Sequence, residues 1–199
     1  MSQNHFVKKI GFVGLGTMGL PMAGHMLEAG YDLTVWSRTI EKAKPLADKG
    51  AKIGASLEEL GANCEAVCLC VPKTEDVQQC LNALTADAPP NALYIDHSTI
   101  LPAAAMRMQK ELESQGKRFV DAPITGGSMG AQRGQLTIFC GGEANDVSEA
   151  IATVRPYTKR AERVGGPGAG QLTKMANQMA VAGALLALCE SLAFAVRRI

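Results

Sequence analysis

An α/β fold with a mainly parallel sheet, helices on both faces and one long C-terminal helix is predicted by three observations. Short β-rich runs alternate with segments of helical period, the first run empties into a glycine-rich turn, and from Gln171 onward the pattern is helical. Alternation of this kind lets consecutive strands pair in parallel, with each connecting helix crossing a face of the sheet. The strand runs fall at 7–13, 31–36, 66–71, 92–96, 118–122 and 136–140, and the helical segments at 18–29, 40–49, 56–62, 74–84, 102–115 and 146–155. Gly30 closes the first helix, Thr74 caps another, and Pro102 sits in a first helical turn, each placement suiting its boundary. After Pro156 a short strand at 162–164 precedes Gly165-Gly-Pro-Gly-Ala-Gly170. The terminal helix is alanine-rich and apolar on most of its circumference, so it should be buried on more than one side. Residues 1–166 are therefore expected to form one domain and 167–199 a long connecting helix. Little chain is left to bury that helix; either a second chain covers it, or the sequence stops where a further domain begins.

The 199 residues carry a formal charge of +1, with 47% hydrophobic and 20% charged residues. These are values of an ordinary globular protein, and no basic tract points to nucleic acid. The N-terminus is polar and then enters the first strand, so no signal peptide is visible and a cytoplasmic location is expected. The longest apolar stretch, Met179 to Ala195, is interrupted by Glu190 and Ser191 and reads as a buried helix rather than a membrane span. Six cysteines, at 64, 68, 70, 80, 140 and 189, lie mostly in apolar runs and read as reduced core residues. Ligation by Cys68 and Cys70 is the lesser alternative, and His5, His25 and His97 lack ligand spacing, so no metal site is expected.

The first strand runs into Gly14-Leu15-Gly16-Thr17-Met18-Gly19. In this pattern Gly14 allows the tight turn, Gly16 lets the backbone approach a ligand, and Gly19 lets the next helix pack on the strand. Amides at that helix's N-terminus then face a pyrophosphate. The fold is thereby of the dinucleotide-binding, Rossmann type. The end of the second strand, which reads the adenosine ribose, carries Ser37-Arg38-Thr39 and no acidic residue. A cation flanked by hydroxyls suits a 2′-phosphate, so NADP is expected over NAD, with a solvated loop charge as the plain alternative for Arg38. Two later loops sit at carboxyl ends of strands, where open α/β sheets bind ligands. Val71-Pro72 belongs to one, and Ser98-Thr99 to the other; helix capping before Pro102 competes with ribose or nicotinamide binding for both hydroxyls.

Two more glycine signatures follow. Asp121-Ala-Pro-Ile-Thr125-Gly126-Gly127 has the amides and hydroxyl of a carboxylate-binding nest. Gly168-Ala-Gly170-Gln-Leu-Thr-Lys174-Met-Ala-Asn177-Gln178 places Lys174, Asn177 and Gln178 on one helix face. In this order the three motifs resemble the β-hydroxyacid dehydrogenase family, from Ile10 nearly to the C-terminus. The resemblance implies hydride exchange between a nicotinamide and a short hydroxyacid or semialdehyde. It also implies that Lys174 is the general acid and base, that Thr125, Gly126 and Gly127 hold the substrate carboxylate, and that Asn177 or Gln178 orients the substrate. A partly desolvated lysine suits that role, because its pKa falls toward neutrality. His25 replaces the family's usual asparagine and is expected to serve packing. Full-length relatives continue into an all-helical domain that completes the site and mediates dimerisation, so a homodimer or higher homo-oligomer through the terminal helix is expected, as is weak turnover by 199 residues alone. A non-catalytic nucleotide-binding scaffold is the alternative function.

Overall fold

The computed structural model describes residues 9–197; Val7 and Lys8 of the expected first strand, His5 and the last two residues lie outside it. In chain order the elements are β1 (Lys9–Val13), α1 (Gly19–Glu28), β2 (Asp32–Trp36), α2 (Lys44–Ala47), β3 (Lys52–Ile53), α3 (Leu57–Asn63), β4 (Ala66–Leu69) and α4 (Thr74–Leu84). They continue with β5 (Leu93–Asp96), α5 (Pro102–Ser114), β6 (Arg118–Asp121), β7 (Ile124–Thr125), α6 (Gly127–Gln132), β8 (Leu136–Gly141), α7 (Ala144–Val154), β9 (Thr158–Gly165) and α8 (Ala169–Val196).

Strands β3-β2-β1-β4-β5-β6 lie side by side and parallel. The direction of winding reverses between β1 and β4, the switch point where such sheets bind ligands. β8 then joins antiparallel, pairing Gly141 with Asp121 of β6, and Ile138 and Thr137 with β7. β9 runs parallel to β8, and its last residue, Gly165, registers with Gly141. The chain is thus returned to the level of Asp121 just before α8 begins.

Period-two alternation sends neighbouring residues of each central strand to opposite faces. Ile10 and Phe12 of β1 and Cys68 of β4 pack on one side with Met22, Met26 and Tyr157. Val13, Val67 and Leu69 pack on the other with Leu81, Tyr94 and Phe119. Helices cover both faces, which is why these strands are apolar throughout rather than alternating.

Several local expectations need correction. The helix expected over 40–49 is a 3-10 turn at Ile40–Lys42 followed by the short α2, whose first turn contains Pro45 and so lacks one amide donor. Thr74 is the first helical residue of α4 rather than its cap; Lys73 is the N-cap, with no side-chain bond. Ser56 does cap α3, accepting the Glu59 amide at 3.1 Å. β9 spans eight residues instead of three, its exposed charges having masked an edge strand. All six cysteines are free, but Cys70 is half-buried and Cys189 is exposed on α8. Beyond Lys174, α8 has no buried residue up to Val196.

Candidate functional site

The glycine turn is shaped by contact as well as by torsion. Gly14 has φ +96°, and a side chain there would run into the Cys70 carbonyl. A side chain on Gly19 would likewise meet the Gly14 carbonyl, so α1 can start hard against the end of β1. The Gly14 amide donates to the Trp36 carbonyl at 3.1 Å, tying the turn to β2. Nothing lies within 4 Å of the position a Gly16 side chain would take. That open side faces a cleft of about 420 Å³ lined by all of Gly14 to Gly19, by Trp36, Ser37, Arg38 and Thr39, and by Val71 and Pro72. A larger hollow of about 690 Å³ lies between α1 and α2 and shares Leu15, Gly16 and Thr17 with the cleft, but Arg38, Val71 and Pro72 line only the smaller one, and the third glycine signature lines neither.

Ser98 and Thr99 do not line this cleft, and neither caps α5, whose N-cap is Leu101. Ser98 is instead a buried strut. Its hydroxyl accepts the Val71 amide at 2.9 Å, its amide donates to Asp96 Oδ1 at 3.0 Å, and its carbonyl accepts from Gln171 Nε2 at 2.8 Å. It therefore joins the cleft loop at Val71 to the first turn of α8, while Thr99 is exposed.

That first turn is set by two residues to which the sequence reading assigned no role, Asp121 and Gln171. The Asp121 carboxylate accepts the amides of Gly168 at 2.8 Å and Gln171 at 2.9 Å. The Gln171 side chain accepts the Ile100 amide at 3.1 Å while donating to Ser98. Both are buried. Burial pushes the Asp121 carboxyl up to about 6, and the amides it accepts oppose that rise. An acidic residue opening one glycine motif, and an amide residue three positions before the lysine in another, were the available signals.

Lys174 follows Gln171 by three residues and is 8% exposed. Burial lowers its ammonium pKa from the ordinary lysine value, and among the described residues its side chain makes no ion pair. Asn177, one turn on, approaches Thr125 Oγ1 with Nδ2 at 3.4 Å, joining α8 to the second glycine motif. Gln178 is exposed beside it, so Asn177 is the amide drawn toward Thr125. Gly126 and Gly127 have φ of +128° and +64°, torsions that favour glycine at both positions. His25 Nε2 lies 3.1 Å from the carbonyls of Ala131 and Gln132, where it ties α1 to α6. No group of three or more metal-ligating side chains occurs among the described residues.

Comparison with known proteins agrees with the fold. The profile of the NAD-binding domain of 6-phosphogluconate dehydrogenase matches residues 9–165. A mitochondrial 3-hydroxyisobutyrate dehydrogenase of Drosophila melanogaster is 35% identical over 100% of this chain and 61% of its own length. The structure of Mycobacterium tuberculosis 3-hydroxyisobutyrate dehydrogenase with L-serine superposes with a TM-score of 0.90 at 31% identity, covering 94% of this chain and 64% of that one. A further solved relative, 26% identical with a TM-score of 0.84 over 92% of this chain and 68% of its own, holds NADP+ and 2-OPP. The chain spans 61% to 66% of the length of the first curated relatives it matches.

Proposed function

Because this chain belongs to the β-hydroxyacid dehydrogenase family, we propose that it carries the nicotinamide-binding half of an oxidoreductase that moves a hydride between NADP(H) and a short hydroxyacid or semialdehyde. The observation that carries this reading is Lys174: desolvated, without a counter-ion among the described residues, and coupled to the cofactor cleft through Gln171, Ser98 and Val71.

The cofactor's place is the 420 Å³ cleft, with its pyrophosphate at the start of α1 and its adenosine between the ends of β2 and β4. A nicotinamide supplies the hydride. The protein's part is to hold the ring near Lys174, to bind the substrate carboxylate at Thr125, Gly126 and Gly127, and to pass a proton at the substrate oxygen. Burial favours neutral over charged lysine, which brings Lys174 Nζ closer to the balance of donor and acceptor that acid–base catalysis uses. Asn177, held toward Thr125, orients the substrate between the two motifs. Arg38 with Ser37 and Thr39 supports NADP over NAD, although the cleft accommodates the shared parts of both. Residues 1–166 act as the cofactor domain, and α8 as the connection to an apolar partner surface, a second copy of the chain in the simplest assembly.

Single-turnover mixing tests the assignment. Protein loaded with NADPH is mixed with a small carboxylated semialdehyde, and loss of nicotinamide absorbance is followed. Lys174→Ala is expected to slow that step by about 10² to 10⁴, the usual worth of a general acid, while leaving NADPH quenching of Trp36 unchanged. Equal rates in the two proteins would remove Lys174 from the role.

A further inference from the structure

Arg38 does not stand free at the mouth of the cleft. Its Nη1 lies 3.3 Å from Asp76 Oδ1, and both residues line the cleft. Topology gives the contact its meaning: Arg38 follows β2 and Asp76 lies in the first turn of α4 after β4, and these strands are the two neighbours of β1. The pair therefore reaches across the glycine turn that issues from β1. Asp76 is the enclosed partner at 19% exposure, against 70% for Arg38, so the carboxylate is the fixed half and the guanidinium the movable one. Asp76 also complements the N-terminal end of α4, a task it shares with Glu75.

We infer that Asp76 sets the cofactor preference of this cleft by competing with the 2′-phosphate of NADP for Arg38, an inference that rests on the reading of Arg38 as the phosphate's partner. A guanidinium binds a carboxylate or a phosphate through the same planar fork. An incoming 2′-phosphate must either displace the Asp76 carboxylate or sit beside it, with like charges a few ångströms apart. NAD carries a neutral hydroxyl at that position and leaves the pair intact. Asp76 thus disfavours NADP selectively, and Arg38 discriminates less sharply than its charge alone allows.

The affinities of NADP+ and NAD+ for the full chain can be read from quenching of Trp36, the single tryptophan, which lines the cleft. Asp76→Asn keeps the side chain's shape and removes its charge. It is expected to tighten NADP+ by about three- to tenfold, somewhat more than an exposed ion pair alone is worth, and to change NAD+ by less than about twofold. The gain should be absent when Arg38→Ala is already present, and should shrink in about 0.5 M salt as screening grows. An equal change for both cofactors, or weaker NADP+ binding, overturns the inference and makes Asp76 a support that holds Arg38 in place. A separate result, Arg38→Ala with the parent's NADP+ to NAD+ ratio, overturns the underlying reading of Arg38 instead.

Discussion

His97 shows how one buried donor orders a chain of others. Its Nδ1 lies 2.8 Å from the Ala122 carbonyl, which can only accept, so Nδ1 carries the proton and Nε2 must accept from the Tyr157 hydroxyl at 2.8 Å. The Tyr157 proton is then committed, and Cys68 Sγ, 3.7 Å from that oxygen, is left to donate. Neutral imidazole satisfies every member, whereas a second ring proton would face the tyrosine's own. Burial accordingly pushes His97 down to about 4. An unfolded histidine binds a proton below about 6.5 and the folded one does not, so this contribution to stability is present above pH 6.5 and is lost as pH falls toward 4. Asp96 and Asp121 act in the opposite sense. Burial raises them to about 7 and about 6, so the stability they contribute exists at low pH and is lost as pH rises through those values. The His97 effect can be isolated by melting the parent and His97→Asn from pH 4 to 8. The gap in melting temperature should widen between pH 4 and 6.5 and then level off; a gap independent of pH would mean that the imidazole is not held neutral.

Helix α8 depends on its first turn far more than on its length. Asp121 satisfies the amides of Gly168 and Gln171, two of the donors that every helix start leaves unpaired. Asp121→Ala should therefore cost about 2 to 3 kcal/mol and speed hydrogen exchange at those two amides before it affects β1 or β4. Unchanged exchange there would show that the helix start is held by packing alone. The sequence made the long elements readable because their patterns extend over several periods: β1, β4 and β5 as apolar runs, and α4, α5 and α7 as amphipathic stretches. It could not reveal β3, β7 or α6, which are two, two and six residues long and complete no period of their own. The site divides in the same way. Local motifs marked the glycine turn, Lys174 and Thr125 to Gly127, whereas the contacts of Asp121 and Ser98 with α8 join residues separated by 47 or more positions, a distance that no spacing rule spans. Ser98 follows a strand, as the ligand pattern requires, and its hydroxyl oxygen also accepts the Val71 amide, a contact that the pattern does not show.

Across the whole molecule the principal imbalance is on α8. The helix is 28 residues long and apolar enough to cross a membrane by composition, and none of its most apolar window is buried within the chain. Leu185, Leu188 and Leu192 are each more than half exposed. Contiguous apolar surface of this kind marks a contact face, while the attachment of the first turn to Asp121 fixes that end to the cofactor domain. Sedimentation of the full chain is expected to show a dimer or larger species. Leu185→Glu with Leu192→Glu should shift it toward monomer without altering cofactor affinity, and a monomer at all concentrations would remove the second copy as the covering surface. The return of β9 to the level of Asp121 bears on how the protein is made. Gly19 and Lys174 lie more than 150 positions apart in the chain, yet the reversal at β8 brings the start of the lysine's helix back to Asp121. Contacts of such long range are slow to form. During synthesis every residue that lines the cleft, the last of them Cys80, leaves the ribosome well before Lys174 does.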